Sequence, residues 1–320
     1  MDKKILKLNP AFKDYIWGGT NLKTKFNKKT DLPTVAESWE LSCHSNGTNT
    51  IYPTDESLNE YLQKNPHLLG TNAKHFENFP ILIKLIDAKD NLSIQVHPSN
   101  EYAMKRHNSY GKTEFWYVVD CAPDSYLYYG FKDKISKDEF VKRIENNTLT
   151  DVLNKVNIKK GDTFFIKAGT VHAICKNTMI AEIQQNSDIT YRIYDYNRKD
   201  KNGNTRELHI DSAIDVTSFE MPNNPKPKVL IHNDDYTLTH IARSEYFYVN
   251  KYELKKACEI FVDNSSFMSF LVLDGEGKIN YENGTLEYKK GDSLFIPAGF
   301  GSINITGTSE FLTTDRKSVV

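Results

Sequence analysis

One fourteen-residue pattern occurs twice in the chain. Residues 156–169 read VNIKKGDTFFIKAG and residues 286–299 read LEYKKGDSLFIPAG, so Lys-Lys-Gly-Asp, Phe-Ile and Ala-Gly recur at the same spacing without a gap. Each copy has the grammar of a Gly-Asp turn, a short strand and a second turn at Ala-Gly. Self-similarity of this kind implies two copies of one β architecture. Asp162 and Asp292 are then expected to cap their turns, and the Lys159-Lys160 and Lys289-Lys290 pairs to lie in solvent.

The length of 320 residues exceeds what a single core usually serves, which fits two units. Residues 222–228, PNNPKPK, carry three prolines and two asparagines and no aliphatic or aromatic side chain between them, and mark the linker. The expectation is a domain over 1–221 and a second, all-β domain over 229–320 with turn signals at Asp274-Gly275 and Asn283-Gly284. The aromatic share of 12% also leans towards strands. Helical insertions are expected in the first domain near 54–69, where Ser57 and its polar neighbours precede Leu58, Tyr61 and Leu62, near 99–108 behind Ser99, and near 136–156 behind the capping box Ser136–Glu139.

Charge narrows the partners. With 41 basic and 42 acidic residues interleaved, the net charge of -1 gives no field to attract nucleic acid or an anionic membrane, so an anionic ligand must be met locally. No apolar run reaches signal-peptide or membrane-span length, and a cytoplasmic protein is expected. Cys43, Cys121, Cys175 and Cys258 are scattered singly, which suggests neither a disulfide framework nor a thiolate metal site.

Residues 92–97 alternate Leu92, Ile94 and Val96 with Ser93, Gln95 and His97, giving a strand with one apolar and one polar face. Same-face neighbours lie about 6 to 7 Å apart, so Gln95 and His97 can lean onto one ion. In the next strand Lys112 and Glu114 share a face, while Phe115 and Tyr117 take the other. The repeat adds a third element, because its turn, strand and Ala-Gly resemble the second conserved motif of cupins, small double-stranded β-helix barrels in which a metal ligand follows. The first copy continues Thr170-Val171-His172 and the second Phe300-Gly301-Ser302, so only the first has a histidine there. Gln95, His97, Glu114 and His172 suit a borderline divalent cation with a position left for substrate; in the absence of Cys ligands zinc leads, with manganese, iron or cobalt also admissible. The resulting fold class is mainly β, two cupin-like jelly-roll barrels with helical insertions in the first and no metal ligands in the second.

Longer blocks extend the resemblance. Trp17-Gly18-Gly19, Glu37–Glu40, Phe79–Lys84, Leu92–Pro98, Gly111–Trp116, Ala168–Ala173, Glu182–Asp188, Thr190-Tyr191-Arg192 and Arg206–His209 together resemble the type I mannose-6-phosphate isomerases in their short bacterial form. The resemblance implies zinc, one ion per chain, on the same four ligands, with Arg192 as the active-site arginine and Lys112 as a catalytic lysine. Lys84, Ser93 and Asp188 are the candidates for holding substrate. Bland readings stand beside these: Lys84 snorkelling to the surface, Arg192 in an internal ion pair with Asp188 or Asp195, and Trp17 and Trp39 as packing anchors. The implied reaction is reversible conversion of mannose 6-phosphate to fructose 6-phosphate through a cis-enediolate, by a monomer or weak homodimer whose partner is a small sugar phosphate. A cupin-type metal oxygenase and a non-catalytic sugar-phosphate sensor are the alternatives.

Overall fold

The Ile81–Ala88 strand, ILIKLIDA, is apolar at almost every position, the pattern of a strand covered on both faces, and all eight residues are buried. In the computed structural model, which describes residues 4–73, 76, 78–200 and 202–316, this strand lies inside a six-stranded sheet. The order is Thr163–Ile166, Glu114–Cys121, Thr178–Gln185, Ile81–Ala88, Glu37–Leu41 and Ala11–Lys13, with every neighbouring pair antiparallel. Ile81, Ile83 and Leu85 face a core that also holds Leu6, Phe115, Ile183 and Phe295. Ile86 and Ala88 face the other way, onto Trp116, Leu127 and Ile174, and the period of two puts Lys84 on that inner face.

Opposite lies a five-stranded sheet in the order Leu153–Asn157, Tyr126–Phe131, His172–Ile174, Ile94–Val96 and Tyr191–Tyr194. The inner core mixes residues of both sheets, so they pack face to face as a double-sheet jelly roll that stays open.

The third sheet has eleven strands and crosses the boundary expected at 222–228. Tyr236–Arg243, Tyr248–Leu254, Gly301–Asp315, Met268–Tyr281 and Ser293–Ile296 are followed, in the same sheet, by the N-terminal strand Leu6–Asn9. Leu6 pairs with Phe295 and Lys7 with Leu294. The linker is also tied down: the Asn224 side chain accepts a hydrogen bond from the Phe165 backbone N–H at 2.9 Å and donates to the Thr163 carbonyl at 2.8 Å. One amide thereby satisfies part of the open edge of the Thr163–Ile166 strand, a role usually left to another strand.

The two repeat copies fold alike. Gly161 and Gly291 adopt φ of 91° and 88°, in the left-handed region that favours glycine. Asp162 Oδ2 accepts from the Lys159 N–H at 2.9 Å and Asp292 Oδ2 from the Lys289 N–H at 3.0 Å, the expected turn caps.

The helices follow their caps, with one correction. Ser57, Ser99 and Ser136 accept from the backbone N–H of Glu60, Tyr102 and Glu139 and start helices at Leu58–Lys64, Asn100–His107 and Lys137–Glu145. The third insertion does not continue to 156. Asn147 takes a positive φ, which breaks the helix, and after one 3-10 turn Leu153–Asn157 pairs as a strand with Tyr126–Phe131.

Candidate active site and metal centre

Strand register assembles the site from two rows of side chains. In the six-stranded sheet Trp116 lies opposite Glu182, Glu182 opposite Lys84 and Lys84 opposite Trp39. In the facing sheet His172 lies opposite Gln95 and Gln95 opposite Arg192. Residues as far apart in sequence as Trp39 and Glu182 therefore converge because each row crosses its sheet at a single level.

Between the rows lies a cavity of ≈ 260 Å³. Lys84, Ser93, Gln95, Lys112, Asp188 and Arg192 all line it. His97, Glu114 and His172 sit deeper, each at most 1% exposed. Glu114 Oε2 lies 3.4 Å from His97 Nε2, and Oε1 lies 3.3 Å from His172 Nε2. One ligand atom from each of the three residues falls within 4.8 Å of the others, a grouping that could hold a metal ion.

The imidazoles are turned for this purpose. His97 Nδ1 is 2.9 Å from the Ile189 carbonyl and His172 Nδ1 is 2.8 Å from the Thr170 carbonyl. Carbonyls only accept, so both protons belong on Nδ1 and both Nε2 lone pairs face Glu114. His97 Nε2 and both Glu114 oxygens are buried without a hydrogen bond. Lys112 Nζ does approach Glu114 Oε2 to 2.8 Å, but as an ion-pair contact outside hydrogen-bond geometry. Buried acceptors left over in this way are costly unless a cation takes them, which is the fit expected of a metal site. Gln95 belongs to the same group, with its Nε2 3.4 Å from His172 Nε2 and its Oε1 accepting from Ser93 Oγ at 3.2 Å. A half-turn of the amide would present the oxygen instead, and Ser93 could then accept rather than donate.

Electrostatics separate the charged groups. Burial alone would raise the Glu114 carboxyl, but Lys112 and the two imidazoles outweigh it and hold it well below the usual carboxylate range. Burial and then Lys112 push His97 down to about 4, and burial also lowers His172, so both imidazoles are neutral near pH 7. Burial works against the Lys84 charge, yet Glu37 at 3.4 Å and Glu182 at 3.3 Å overcome it and raise its pKa. Lys84 does not snorkel; it is a fixed ammonium in the wall.

Arg192 does not make the internal ion pair considered for it. Asp195 is taken by Arg198 and by a two-pronged contact with Arg206, and Asp188 accepts from Asn46 Nδ2 at 2.6 Å on the rim. Arg192 Nη1 donates to the Glu207 carbonyl at 2.7 Å, while its Nε is buried and unpartnered. Trp17 and Trp39 are packed as anchors, 3% and 2% exposed, and border the cavity as well. Trp39 Nε1 donates to Glu37 at 2.7 Å and Trp116 Nε1 to Glu182 at 2.9 Å, so each carboxylate beside Lys84 is aimed by an indole.

Glu37 and Arg206 were given no role from sequence, although both fall in the blocks of family resemblance. The signal available for Glu37 was its alternation with Trp39 in a strand, which places the two on one face.

Comparison with known proteins agrees with this architecture. The model for the catalytic domain of type I phosphomannose isomerase matches residues 5–120, and that for the mannose-6-phosphate isomerase cupin domain matches 236–314. A mannose-6-phosphate isomerase of Bacillus subtilis is 35% identical over 98% of this chain and 99% of that protein. One from Streptococcus mutans is 36% identical over 93% and 94%. The crystal structure of the mannose 6-phosphate isomerase from Bacillus subtilis superimposes with a TM-score of 0.92 at 33% identity, covering 98% of this chain and 99% of that one. A mannose 6-phosphate isomerase bound with zinc and yttrium shares the fold at 17% identity, with a TM-score of 0.76. Identity sustained from end to end, on the same backbone path, shows that the chain belongs to the type I mannose-6-phosphate isomerases.

Proposed function

We propose that the chain interconverts mannose 6-phosphate and fructose 6-phosphate, moving a proton between C1 and C2 through a cis-enediolate. The observation that carries this reading is the buried His97–Glu114–His172 cluster, with its unsatisfied acceptors, at the floor of a cavity walled by Lys84, Lys112 and Arg192. Gln95, His97, Glu114 and His172 would hold one divalent ion, zinc by preference, which when bound supplies a Lewis acid for the substrate's carbonyl.

The chain's own groups do the rest. Arg192 brings its guanidinium to the cavity wall, suited to the oxyanion or the phosphate. Lys84 holds fixed positive charge in the wall and Asp188 meets hydroxyls at the rim. Lys112 is assigned the proton transfer at C2, with Glu182 Oε1 3.9 Å away as a neighbouring carboxylate. Ser93 orients Gln95.

The relatives are named isomerases, which leaves the metal-oxygenase and sensor readings without support. Among the described residues no helix is long and apolar enough to cross a membrane. We place the protein in the cytoplasm as a monomer or weak homodimer, with a sugar phosphate as its partner and neither nucleic acid nor membrane. A coupled assay for fructose 6-phosphate, run with and without chelator, tests the core of this reading. Turnover should vanish on metal removal and return with zinc; full turnover in metal-free protein would sink the metal role.

A further inference from the structure

Three segments that carry site residues end close together: the turn after His97, the approach to Lys112 and Glu114, and the end of the strand leading to Asp188. A chain of amides knits them. Gln185 Oε1 accepts the Thr113 backbone N–H at 2.8 Å, and Gln185 Nε2 donates to Asn100 Oδ1 at 2.9 Å. Asn100 Oδ1 also accepts the Gly111 backbone N–H at 2.9 Å, and Asn100 Nδ2 donates to Tyr246 Oη at 2.8 Å.

The orientation of both amides is forced, because the backbone N–H groups of Gly111 and Thr113 can only donate. Thr113 lies between Lys112 and Glu114, and the Lys112 N–H reaches the Pro98 carbonyl, one residue past His97, at 3.0 Å. The approach is tight: a Cβ on Gly111 would lie 2.4 Å from the Ser99 carbonyl carbon. Tyr246 belongs to the part of the chain beyond the linker.

We propose that Gln185 and Asn100 are positioning residues for Lys112 and Glu114, and that the Tyr246 hydroxyl anchors them from the C-terminal half. The half without metal ligands thereby sets the geometry of the half that has them. This rests on the reading that Glu114 ligates a metal.

The test uses full-length protein loaded with cobalt(II), whose visible bands report ligand geometry, together with steady-state kinetics and thermal melts. Gln185→Leu keeps the bulk and removes both amide contacts. It should shift the cobalt bands and lower kcat about tenfold with KM little changed. Gln185→Glu, which keeps the acceptor for Thr113, should recover part of that loss. Tyr246→Phe removes one oxygen and should lower kcat about threefold, with a smaller band shift in the same direction.

A purely structural role would lower the melting temperature and leave kcat and the bands where they were; that result in Gln185→Leu and Tyr246→Phe overturns the proposal. If Gln185→Leu does not fold, Tyr246→Phe decides alone. Failure of the underlying metal reading looks different: the unmutated protein itself would show no cobalt bands and would turn over without metal.

Discussion

Residues 156–172 and 286–302 share a turn, a strand and a pair of glycines, yet one copy ends in a buried imidazole and the other in an exposed hydroxyl. His172 is fully buried and pairs across the sheet with Gln95. Ser302 is exposed and pairs with Phe261, itself 61% exposed. Around the second copy the interior is closed by aromatic packing, with Phe270 stacked on Phe311 at 4.2 Å and Tyr252 on Phe311 at 4.8 Å. The turn chemistry of the repeat builds the scaffold, and the residue three places past its Ala-Gly decides whether a site can follow.

The largest test of that contrast is a pair of substitutions. His172→Ala should lower turnover by about a thousandfold or more and remove the bound metal. Ser302→His should leave metal content at a single ion per chain, because the side chain there faces solvent and has no Gln95, His97 or Glu114 opposite it. A second ion in Ser302→His, by elemental analysis, would show that the copies are interchangeable.

Arg192→Ala should cut kcat by about a hundredfold or more, with an unchanged circular dichroism spectrum, since charge stabilisation of this kind is usually worth that much. Near-normal turnover would remove Arg192 from the mechanism.

The third test is acid. His97 is depressed from 6.5 to about 4 by burial, so the unfolded chain takes up its proton first. The neutral ring contributes stability in full above about 6.5 and loses it as the pH falls towards about 4. The amount is on the order of 3 kcal/mol. Glu114 acts in the same direction, because its carboxyl is also held low. Urea melts of metal-free protein across this window should show His97→Gln with a shallower pH dependence than the unmutated chain; identical slopes would assign the acid sensitivity elsewhere.

The smallest effects concern the turns themselves. Asp162→Ala removes one cap and should cost about 1 kcal/mol. Asp292→Ala removes the same cap and also the Lys7 contact at 2.7 Å, which is partly exposed and should add no more than about 1 kcal/mol. Neither change should move kcat, and denaturant midpoints with paired kinetics would check both.

Much of this could be read before any coordinates. Ser57, Ser99 and Ser136 marked their helices because capping is local chemistry. Gln95, His97, Glu114 and His172 stood out because ligand types are rare on strand faces and the family blocks contain them. What escaped were features set by register. Lys84 could be assigned either to solvent or to substrate, and only the row Trp116, Glu182, Lys84, Trp39 fixes it as a paired ammonium. The edge-capping by Asn224 was hidden in a segment whose prolines and asparagines looked like free tether.

The pairing of Leu6–Asn9 with Ser293–Ile296 has a consequence for how the chain is made. The Leu6–Asn9 strand cannot pair along its Ser293–Ile296 edge until residues near 296 have been made. Leu8 and Asn9 can pair earlier, with Ile51 and Thr50, but the other edge of the strand stays open until then. Domain-by-domain folding from the N-terminus, the usual route for long chains, therefore leaves one edge of this strand unpaired. Leu6 and Lys7 must wait for partners, Phe295 and Leu294, that are made far later than the strand's other neighbours.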